Sequence, residues 1–440
     1  MAKKSAAKKS TTRKPRKKIL TARDVPPKAT YEPGGKSQKL KLTRPRQEDL
    51  PEARRGVKKV LVAYSGGLDT SVMIPWLIEN YGVECVAYAA DLGQGGDMKA
   101  LKQKAKDTGA IKCIVDDLRE EFVNDYIVPG IMANAVYENK YPMHTSLGRP
   151  LIAEKMVKVA LQEGCDAIAH GCTGKGNDQC RFEFTFMALA PQLRVIAPLR
   201  EWEMKSRDDE FDYAEARGIF LPISRQKPFS IDKNLYGCAT ECGELEDPWT
   251  PAPEEAFQDT TDPLKAPNTP EDVVVSFDKG VPVRVNGQKM KPIKVIEKLH
   301  DIGCKHGVGR IDMVENRLVG IKSREVYEAT AATILITAHR ELESIVYDKE
   351  MARFKDEVDH KFIDIIYNGF WFSPLREALQ QFIEKANEAI TGDVCLRLYK
   401  GSCRPIGRRS PHSLYDRKLA TYESDDEFDH ATAEGFIHLM

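Results

Sequence analysis

The stretch SGGLDTS, residues 65–71, places two adjacent glycines among hydroxyl groups and one carboxylate. It follows a run of strand-forming residues at 60–64, and helical apolar spacing begins at Thr70. Glycine lets the main chain approach a ligand closely, and a helix N-terminus offers unpaired N–H groups to an anion. The pattern predicts a phosphate-binding loop, with Asp69 suited to a magnesium ion attending the phosphates. The alternative is a tight strand-to-helix turn with Asp69 as the helix cap.

A second loop with the same placement is HGCTGKGNDQCR, residues 170–181. It follows a predicted strand at 166–170 and leads into a predicted helix at 178–190. Its last residues bring an amide, a carboxylate and a guanidinium together in Asn177, Asp178 and Arg181. These groups match the charges of a zwitterionic amino acid, although a glycine-rich turn with surface charges would give a similar pattern.

The elements around these loops alternate between strand and helix. Strands are predicted at 60–64, 83–89, 111–115, 166–170 and 194–199, and helices at 70–80, 98–108, 118–136, 151–162 and 178–190. This alternation predicts an α/β fold with a doubly wound parallel sheet and helices on both faces. Because ligands bind beyond the carboxyl ends of such strands, both loops should lie on one crevice.

The pattern changes after about residue 224. Residues 249–272 are dense in Pro, Asp and Thr and indicate a connecting segment. A β-hairpin is predicted at 273–285 and a strand pair at 394–399 and 402–406, with helices at 292–302, 329–346, 349–367 and 375–390 between them. This half of the chain is predicted to be a second, α+β domain.

Charge is unevenly distributed along a chain of zero formal net charge. Residues 1–55 hold 18 Lys and Arg against 5 Asp and Glu, a net +13, and few large apolar residues. We therefore predict a disordered basic extension, either a solvated tail or a segment that contacts nucleic acid.

No apolar run approaches the roughly 20 residues that cross a bilayer, and the N-terminus lacks the apolar centre of a secretion signal. We therefore expect a cytoplasmic protein without membrane contact. The ten cysteines contain no C-x-x-C pair, which argues against a zinc knuckle or a disulfide framework.

SGGLDTS resembles the PP-loop of the N-type ATP pyrophosphatases, which cleave ATP at the α-phosphate. It also lacks the lysine of G-x-x-x-x-G-K-[ST], which disfavours a P-loop that transfers the γ-phosphate. Six motifs, in order over about residues 57–425, are similar to the argininosuccinate synthase family: AYSGGLDTS, YPMHTSLGRP, HGCTGKGNDQCRFE, KAPNTPEDV, CKHGVGRIDMVENR and GIKSREVYE.

The resemblance implies a ligase that condenses citrulline with aspartate through a citrullyl-adenylate, using ATP and Mg²⁺, in arginine biosynthesis. It implies an ATP-binding PP-loop domain of Rossmann-like form at 56–222 and a synthetase domain at 223–425. A short tail at 426–440 would follow, and the family's usual assembly is a homotetramer.

The resemblance also implies site residues, by motif. The ATP contacts are Ala63, Tyr64, Ser65, Gly66, Gly67, Leu68, Asp69, Thr70, Ser71, Ala90 and Gly171. Aspartate would meet Thr173, Asn177 and Asp178, the last through its amino group. Citrulline would meet Tyr141, Ser146, Asn177, Arg181, Ser230, Glu315 and Tyr327. Asp69, Asp178 and Arg181 are the predicted catalytic residues, and Asp69 the predicted Mg²⁺ ligand.

Purely structural roles compete with several of these assignments. Tyr141 and Tyr327 could be core aromatics, Glu315 a surface ion pair, and Ser146 the cap of a helix beginning near Pro150.

Two departures from the family pattern stand out. Ala239 replaces a serine that usually contacts citrulline, with Thr240 beside it, and the long C-terminal helix that embraces a neighbouring subunit is shortened. These departures and the basic extension leave two other hypotheses: a PP-loop enzyme that modifies tRNA, and a catalytically weak homologue that binds nucleic acid.

Overall fold

A five-stranded parallel sheet organises the first half of the chain. The computed structural model describes residues 40, 42–219, 221 and 229–440. The strands are β1 (Lys59–Ala63), β2 (Glu84–Asp91), β3 (Lys112–Asp117), β4 (Ala167–Ala169) and β5 (Arg194–Ile196). They pair in the order β3-β2-β1-β4-β5.

Helices cover both faces of this sheet. They are α1 (Leu68–Tyr81), α2 (Met98–Asp107), α3 (Arg119–Phe122), α4 (Val128–Met132), α5 (His144–Gln162), α6 (Asp178–Leu189) and α7 (Arg207–Arg217). Successive side chains of a strand point to opposite faces, so Val60 and Val62 pack in the cluster with α1 while Leu61 packs with α5 and α6. The predicted doubly wound α/β fold is confirmed.

Two predicted helices differ from the structure. The helix predicted at 118–136 is interrupted by a π-helical turn, Val123–Ile127, and ends at Met132, just before Asn134 adopts a φ of 45°. The helix predicted from residue 151 begins at His144, and Pro150 lies inside it. A proline removes only one backbone donor, and packing retains the helix around it. Ser146 is therefore an interior residue of α5, and its interpretation as a helix cap was wrong.

Two antiparallel sheets build the second half. The strands are β6 (Ser230–Asn234), β7 (Gly237–Glu241), β8 (Glu271–Asp278), β9 (Val281–Val285), β10 (Gln288–Lys289), β11 (Arg310–Asn316), β12 (Lys322–Glu328), β13 (Gly392–Tyr399) and β14 (Ser402–Arg409). One sheet has the order β10-β9-β8-β13-β14 and contains the predicted hairpin and the predicted strand pair. The other, β11-β12-β7-β6, escaped sequence analysis because three of its strands, β6, β11 and β12, are rich in charged residues, which hide the apolar alternation.

The helices of the second half are α8 (Pro292–Lys305), α9 (Thr330–Val346), α10 (Lys349–Tyr367), α11 (Pro374–Asn387), α12 (Arg417–Ala420) and α13 (Ala431–Leu439). One core cluster combines Leu335 of α9 and Val394 of β13 with Phe122 and Leu147 from the first half. The second half therefore packs directly on α3–α5, which carry part of the predicted site.

The end of the basic extension is folded, in contrast to the expected disorder. Arg44 Nη2 donates to Val83 O at 2.9 Å, Gln47 Nε2 donates to Tyr81 O at 2.9 Å, and Leu50 is buried. Residues 1–39, with the predicted nucleic-acid contact, lie outside the described residues. No helix within the described part of the chain is long and apolar enough to span a membrane.

Gly309, which precedes β11, should be essential for stability. Its φ is +88°, and a Cβ there would lie 2.7 Å from the main chain of Thr330. Gly287 has a φ of +79° but open space around it. We expect Gly287→Ala to lower the free energy of unfolding by about 1 kcal/mol through backbone strain alone. Gly309→Ala adds the clash and should cost on the order of 3 kcal/mol or more. Denaturant unfolding of both variants measures the difference, and equal losses would contradict the packing described.

Candidate functional site

The first loop joins β1 to α1 and leaves its main chain open. Gly66 has a φ of +75°, and a Cβ on it would collide with Leu101 Cδ1. A Cβ on Gly67 would meet only Ser65 Oγ, at 3.4 Å. The left-handed φ therefore disfavours any side chain at Gly66, and a Cβ there would also force Leu101 Cδ1 to move. The space beside Gly67, at the start of α1, is open to a ligand.

Some side chains of this loop are buried in the protein core, and others are exposed to the crevice. Tyr64 and Leu68 are buried in apolar clusters, so they can offer a nucleotide only their main chain. Ser65 is exposed, and its Oγ lies 3.1 Å from Thr70 Oγ1. Ser71 is buried and donates to Gly67 O at 2.6 Å. Ala63 and Ala90 are half-buried at the carboxyl ends of β1 and β2.

Asp69 faces a second carboxyl group that sequence analysis missed. Glu210 of α7 is only 8% exposed, and its Oε2 has no hydrogen-bond partner among the described residues. Burial, and then the charge of Asp69, raise the pKa of Glu210 to about 9. Two adjacent carboxyl groups with an orphaned oxygen form an environment that either shares a proton or accepts a cation.

The second loop lies beside the first. A Cβ on Gly171 would be 3.5 Å from Thr70 Cγ2, so the two strand ends share one crevice. Gln179 Nε2 braces the loop by donating to Gly174 O at 2.8 Å and Gly176 O at 3.1 Å. Thr173 is exposed, and Asn177 is buried.

Asp178 is held between two arginines. Its Oδ2 accepts from Arg149 Nε at 2.7 Å, and its Oδ1 accepts from Arg181 Nη1 at 2.8 Å. Burial acts to raise the pKa of Asp178, but the two guanidinium ions outweigh it and hold the pKa well below its usual range. Arg149 also binds Asp232 of β6. Arg149 belongs to the YPMHTSLGRP motif, so the sequence offered a signal for it.

Three of the predicted citrulline residues, Tyr141, Glu315 and Tyr327, form a buried aromatic cluster around the carboxylate of Glu315, which we call the aromatic pocket. The rings of Tyr141 and Tyr327 stack with centroids 4.4 Å apart. Glu315 is buried and accepts from Tyr327 at 2.9 Å and from Tyr367 at 3.0 Å, so it is not a surface ion pair. Arg181 Nε donates to Tyr367 O at 3.1 Å, which joins this pocket to the second loop. No motif in the sequence pointed to Tyr367.

A network behind the pocket balances its negative charge. Arg317 binds Glu241 at 2.8 Å and also Glu325. Burial, then repulsion from Glu315 and Glu241, raise the pKa of Glu325 to about 8. The main chain of the same turn ties the pocket to the second loop, because Leu318 N donates to Asn177 Oδ1 at 2.9 Å.

The remaining predicted citrulline contacts are less uniform. Ser146 is fully buried, and its Oγ has no partner among the described residues, whereas Ser230 is exposed at the start of β6. Ala239 pairs with Tyr327, but Thr240 pairs with Val326. Because neighbouring strand residues face opposite ways, Thr240 does not take the place of a side chain at Ala239.

The chain matches two family profiles. Residues 59–220 match the arginosuccinate synthase N-terminal HUP domain, and residues 229–440 match the arginosuccinate synthase C-terminal domain. A protein named argininosuccinate synthase from Carboxydothermus hydrogenoformans is 53% identical over 383 residues, 87% of this chain and 96% of the relative. Proteins of the same name from Pelodictyon phaeoclathratiforme (52%) and Symbiobacterium thermophilum (53%) match the same shares of each chain.

Glu325 should make stability depend on pH. With a folded pKa near 8, the native protein keeps a proton that an unfolded glutamate releases above about pH 4.3. The stabilisation is present at low pH and is lost as the pH rises towards 8. Glu325→Gln mimics the protonated group and does not titrate. As the pH rises, the free energy of unfolding of Glu325→Gln should therefore increase relative to that of the parent, by up to about 1.4 kcal/mol per pH unit.

Urea unfolding at pH 5 to 8 measures this difference, and Glu357→Gln on the exposed side of α10 is the control. A constant gap between Glu325→Gln and the parent would show that Glu325 is ionised throughout.

Proposed function

Because the chain belongs to the argininosuccinate synthase family, we propose that its crevice holds ATP, L-citrulline and L-aspartate side by side. The enzyme condenses citrulline with aspartate at the expense of ATP, giving L-argininosuccinate, AMP and diphosphate, a ligase reaction of arginine biosynthesis. The observation that supports this proposal is the contact between the two loops at Gly171 and Thr70, because it places a phosphate-binding loop beside an amino-acid pocket. The profile matches at 59–220 and 229–440 support the proposed ATP-binding domain at 56–222 and the start of the synthetase domain proposed at 223–425. The short tail at 426–440 stays a prediction, because the second match runs through it.

ATP is assigned to the first loop. Gly67 and the first turn of α1 offer main-chain donors, and Ser65 and Thr70 add hydroxyl groups on the open side. Ala63, Ala90 and Gly171 complete the walls. Tyr64, Leu68 and Ser71 contribute through the main chain or by shaping the loop.

Citrulline is assigned to the aromatic pocket. Glu315 suits its α-ammonium, and Tyr141 and Tyr327 line the neutral tail. Nε and Nη1 of Arg181 are already engaged, and Nη2 is assigned to the citrulline carboxylate. The buried Oγ of Ser146 is a further polar partner. The exposed Ser230 has the weakest support.

Aspartate is assigned to the second loop, through Thr173, Asn177 and Asp178. A carboxylate can accept about four hydrogen bonds, so Asp178 can receive an ammonium while it holds Arg149 and Arg181. The amine of aspartate then lies beside the citrulline pocket.

The reaction proceeds in two displacements. The ureido oxygen of citrulline bonds to the α-phosphorus, and the bond from that phosphorus to the bridging oxygen breaks, which releases diphosphate and leaves citrullyl-adenylate. The aspartate amine then bonds to the ureido carbon, AMP departs with the ureido oxygen, and the amine loses a proton. No covalent enzyme intermediate is needed, so alignment and charge stabilisation supply most of the rate.

Magnesium is proposed as the companion of the ATP phosphates. Asp69 is the assigned ligand, and the orphaned oxygen of Glu210 beside it supports a cation there. Bound Mg²⁺ would neutralise the charge that develops on the diphosphate.

A homotetramer in the cytoplasm is the proposed state. Exposed apolar side chains along residues 411–440 support contact with other copies: Leu414, Tyr415, Leu419, Tyr422, Phe436, Ile437 and Leu439. All ten cysteines are free, which supports a reducing compartment.

A product assay tests the reaction. With ATP, Mg²⁺, citrulline and aspartate, the protein should release AMP and diphosphate in equal amounts, and omission of any one substrate should stop net turnover. With citrulline alone, labelled diphosphate should exchange into ATP, because the adenylate forms before aspartate reacts. Formation of ADP instead of AMP would contradict the proposed reaction. Full activity in EDTA would show that the reaction does not need Mg²⁺.

Mass photometry tests the assembly. The parent should have about four times the 49.5 kDa mass of one chain. The double substitution Phe436→Asp with Ile437→Asp places charges on the apolar face of α13 and should lower that mass, because charged groups resist burial at an interface. Thr432→Asp at the start of the same helix is the matched control. A monomeric parent would rule out the tetramer.

A further inference from the structure

The phosphate loop has no lysine of its own, but the fold supplies one from α2. Lys104 is only 6% exposed, and its ammonium donates to the main-chain oxygen of Gly66. Leu101, one helical turn earlier on the same face, is the residue that would clash with a Cβ on Gly66. One face of α2 thus packs against the first glycine of the loop.

The bond to Gly66 O sets the orientation of the peptide that joins the two glycines. In a trans peptide the C=O and the N–H point in opposite directions. With the carbonyl of Gly66 turned towards Lys104, the N–H of Gly67 points away from α2 and donates to Ser65 Oγ at 3.3 Å. Ser65 is exposed, so this donor and its hydroxyl acceptor lie on the open side of the loop, where a phosphate oxygen can replace the hydroxyl as the acceptor.

The charge of Lys104 is poorly compensated. Burial lowers the pKa of its ammonium to about 8, and no carboxylate of the described residues contributes to that shift. A buried cation without an anion is costly, and an anion that arrives nearby reduces the cost. The loop is therefore electrostatically incomplete until a phosphate group occupies it.

We propose that Lys104 is the positioning cation of the diphosphate-binding loop. It orients the Gly67 N–H through the Gly66 carbonyl and stabilises the charge of the departing diphosphate. This inference rests on the proposed function, because diphosphate is the group released when citrulline attacks the α-phosphorus. Lys104 acts through the loop and need not touch the reacting atoms.

Binding of diphosphate alone and of AMP alone, by calorimetry, tests the proposal without turnover. Lys104→Met removes the charge-assisted hydrogen bond that orients the loop, so it should weaken binding of diphosphate about ten- to hundredfold and binding of AMP less than about threefold. Lys104→Arg should recover most of the diphosphate affinity. Lys102→Met, on the exposed side of α2, should bind both ligands as the parent does.

Steady-state kinetics give a second readout. In Lys104→Met the KM for ATP should rise and kcat should fall, while the KM values for citrulline and aspartate stay within about twofold. Melting curves establish that each variant is folded. If Lys104→Met is not folded, Lys104→Gln replaces it, because glutamine also removes the charge but keeps a polar end for the Gly66 carbonyl.

Three outcomes would overturn the proposal: parent-like diphosphate binding in Lys104→Met, equal losses for diphosphate and AMP, or no recovery in Lys104→Arg. The two proposals can fail separately. If the parent protein makes no argininosuccinate, but Lys104→Met still loses affinity for diphosphate selectively, the proposed function is refuted and the role of Lys104 in binding diphosphate is retained.

Discussion

The site depends on the two ion pairs that the carboxylate of Asp178 makes with Arg149 and Arg181. The carboxylate holds Arg149 of α5 and Arg181 of α6, and each arginine reaches onward to the second half of the chain. Arg149 binds Asp232 of β6, and Arg181 donates to the main chain at the end of α10. One charge therefore fixes the relative position of the parallel sheet and the elements that form the amino-acid pocket. Its low pKa keeps this arrangement charged over the range in which proteins are stable.

In the aromatic pocket next to Asp178, by contrast, acidic side chains outnumber basic ones. Arg317 contacts Glu241, Glu315 and Glu325, and burial, followed by repulsion from Glu315 and Glu241, raises the pKa of Glu325. A proton on Glu325 relieves this repulsion, and the ammonium group of a zwitterionic substrate would relieve it further at Glu315. Desolvated carboxylates thus serve recognition at some cost to stability.

The local sequence was enough to predict the structure where binding a ligand requires one particular backbone geometry. SGGLDTS predicted the open loop because adjacent glycines at a strand end leave the main chain bare for a close ligand, and strand–helix alternation predicted the parallel sheet. The sheet β11-β12-β7-β6 was missed because charged residues in β6, β11 and β12 hide the apolar alternation. Glu210, Lys104 and Tyr367 could not be placed from spacing alone, since tertiary packing brings each of them to the site from a distant part of the chain.

The two glycines of the first loop are retained for different reasons. Gly66 has a φ of +75°, a conformation that side chains rarely adopt, whereas a Cβ at Gly67 meets only Ser65 Oγ at an acceptable distance. Random variation screened only for a folded product would keep the first glycine and let small residues replace the second. Screening for nucleotide turnover would keep both. Comparing the residues tolerated at the two positions under each regime would separate the demands of architecture from those of chemistry within one dipeptide.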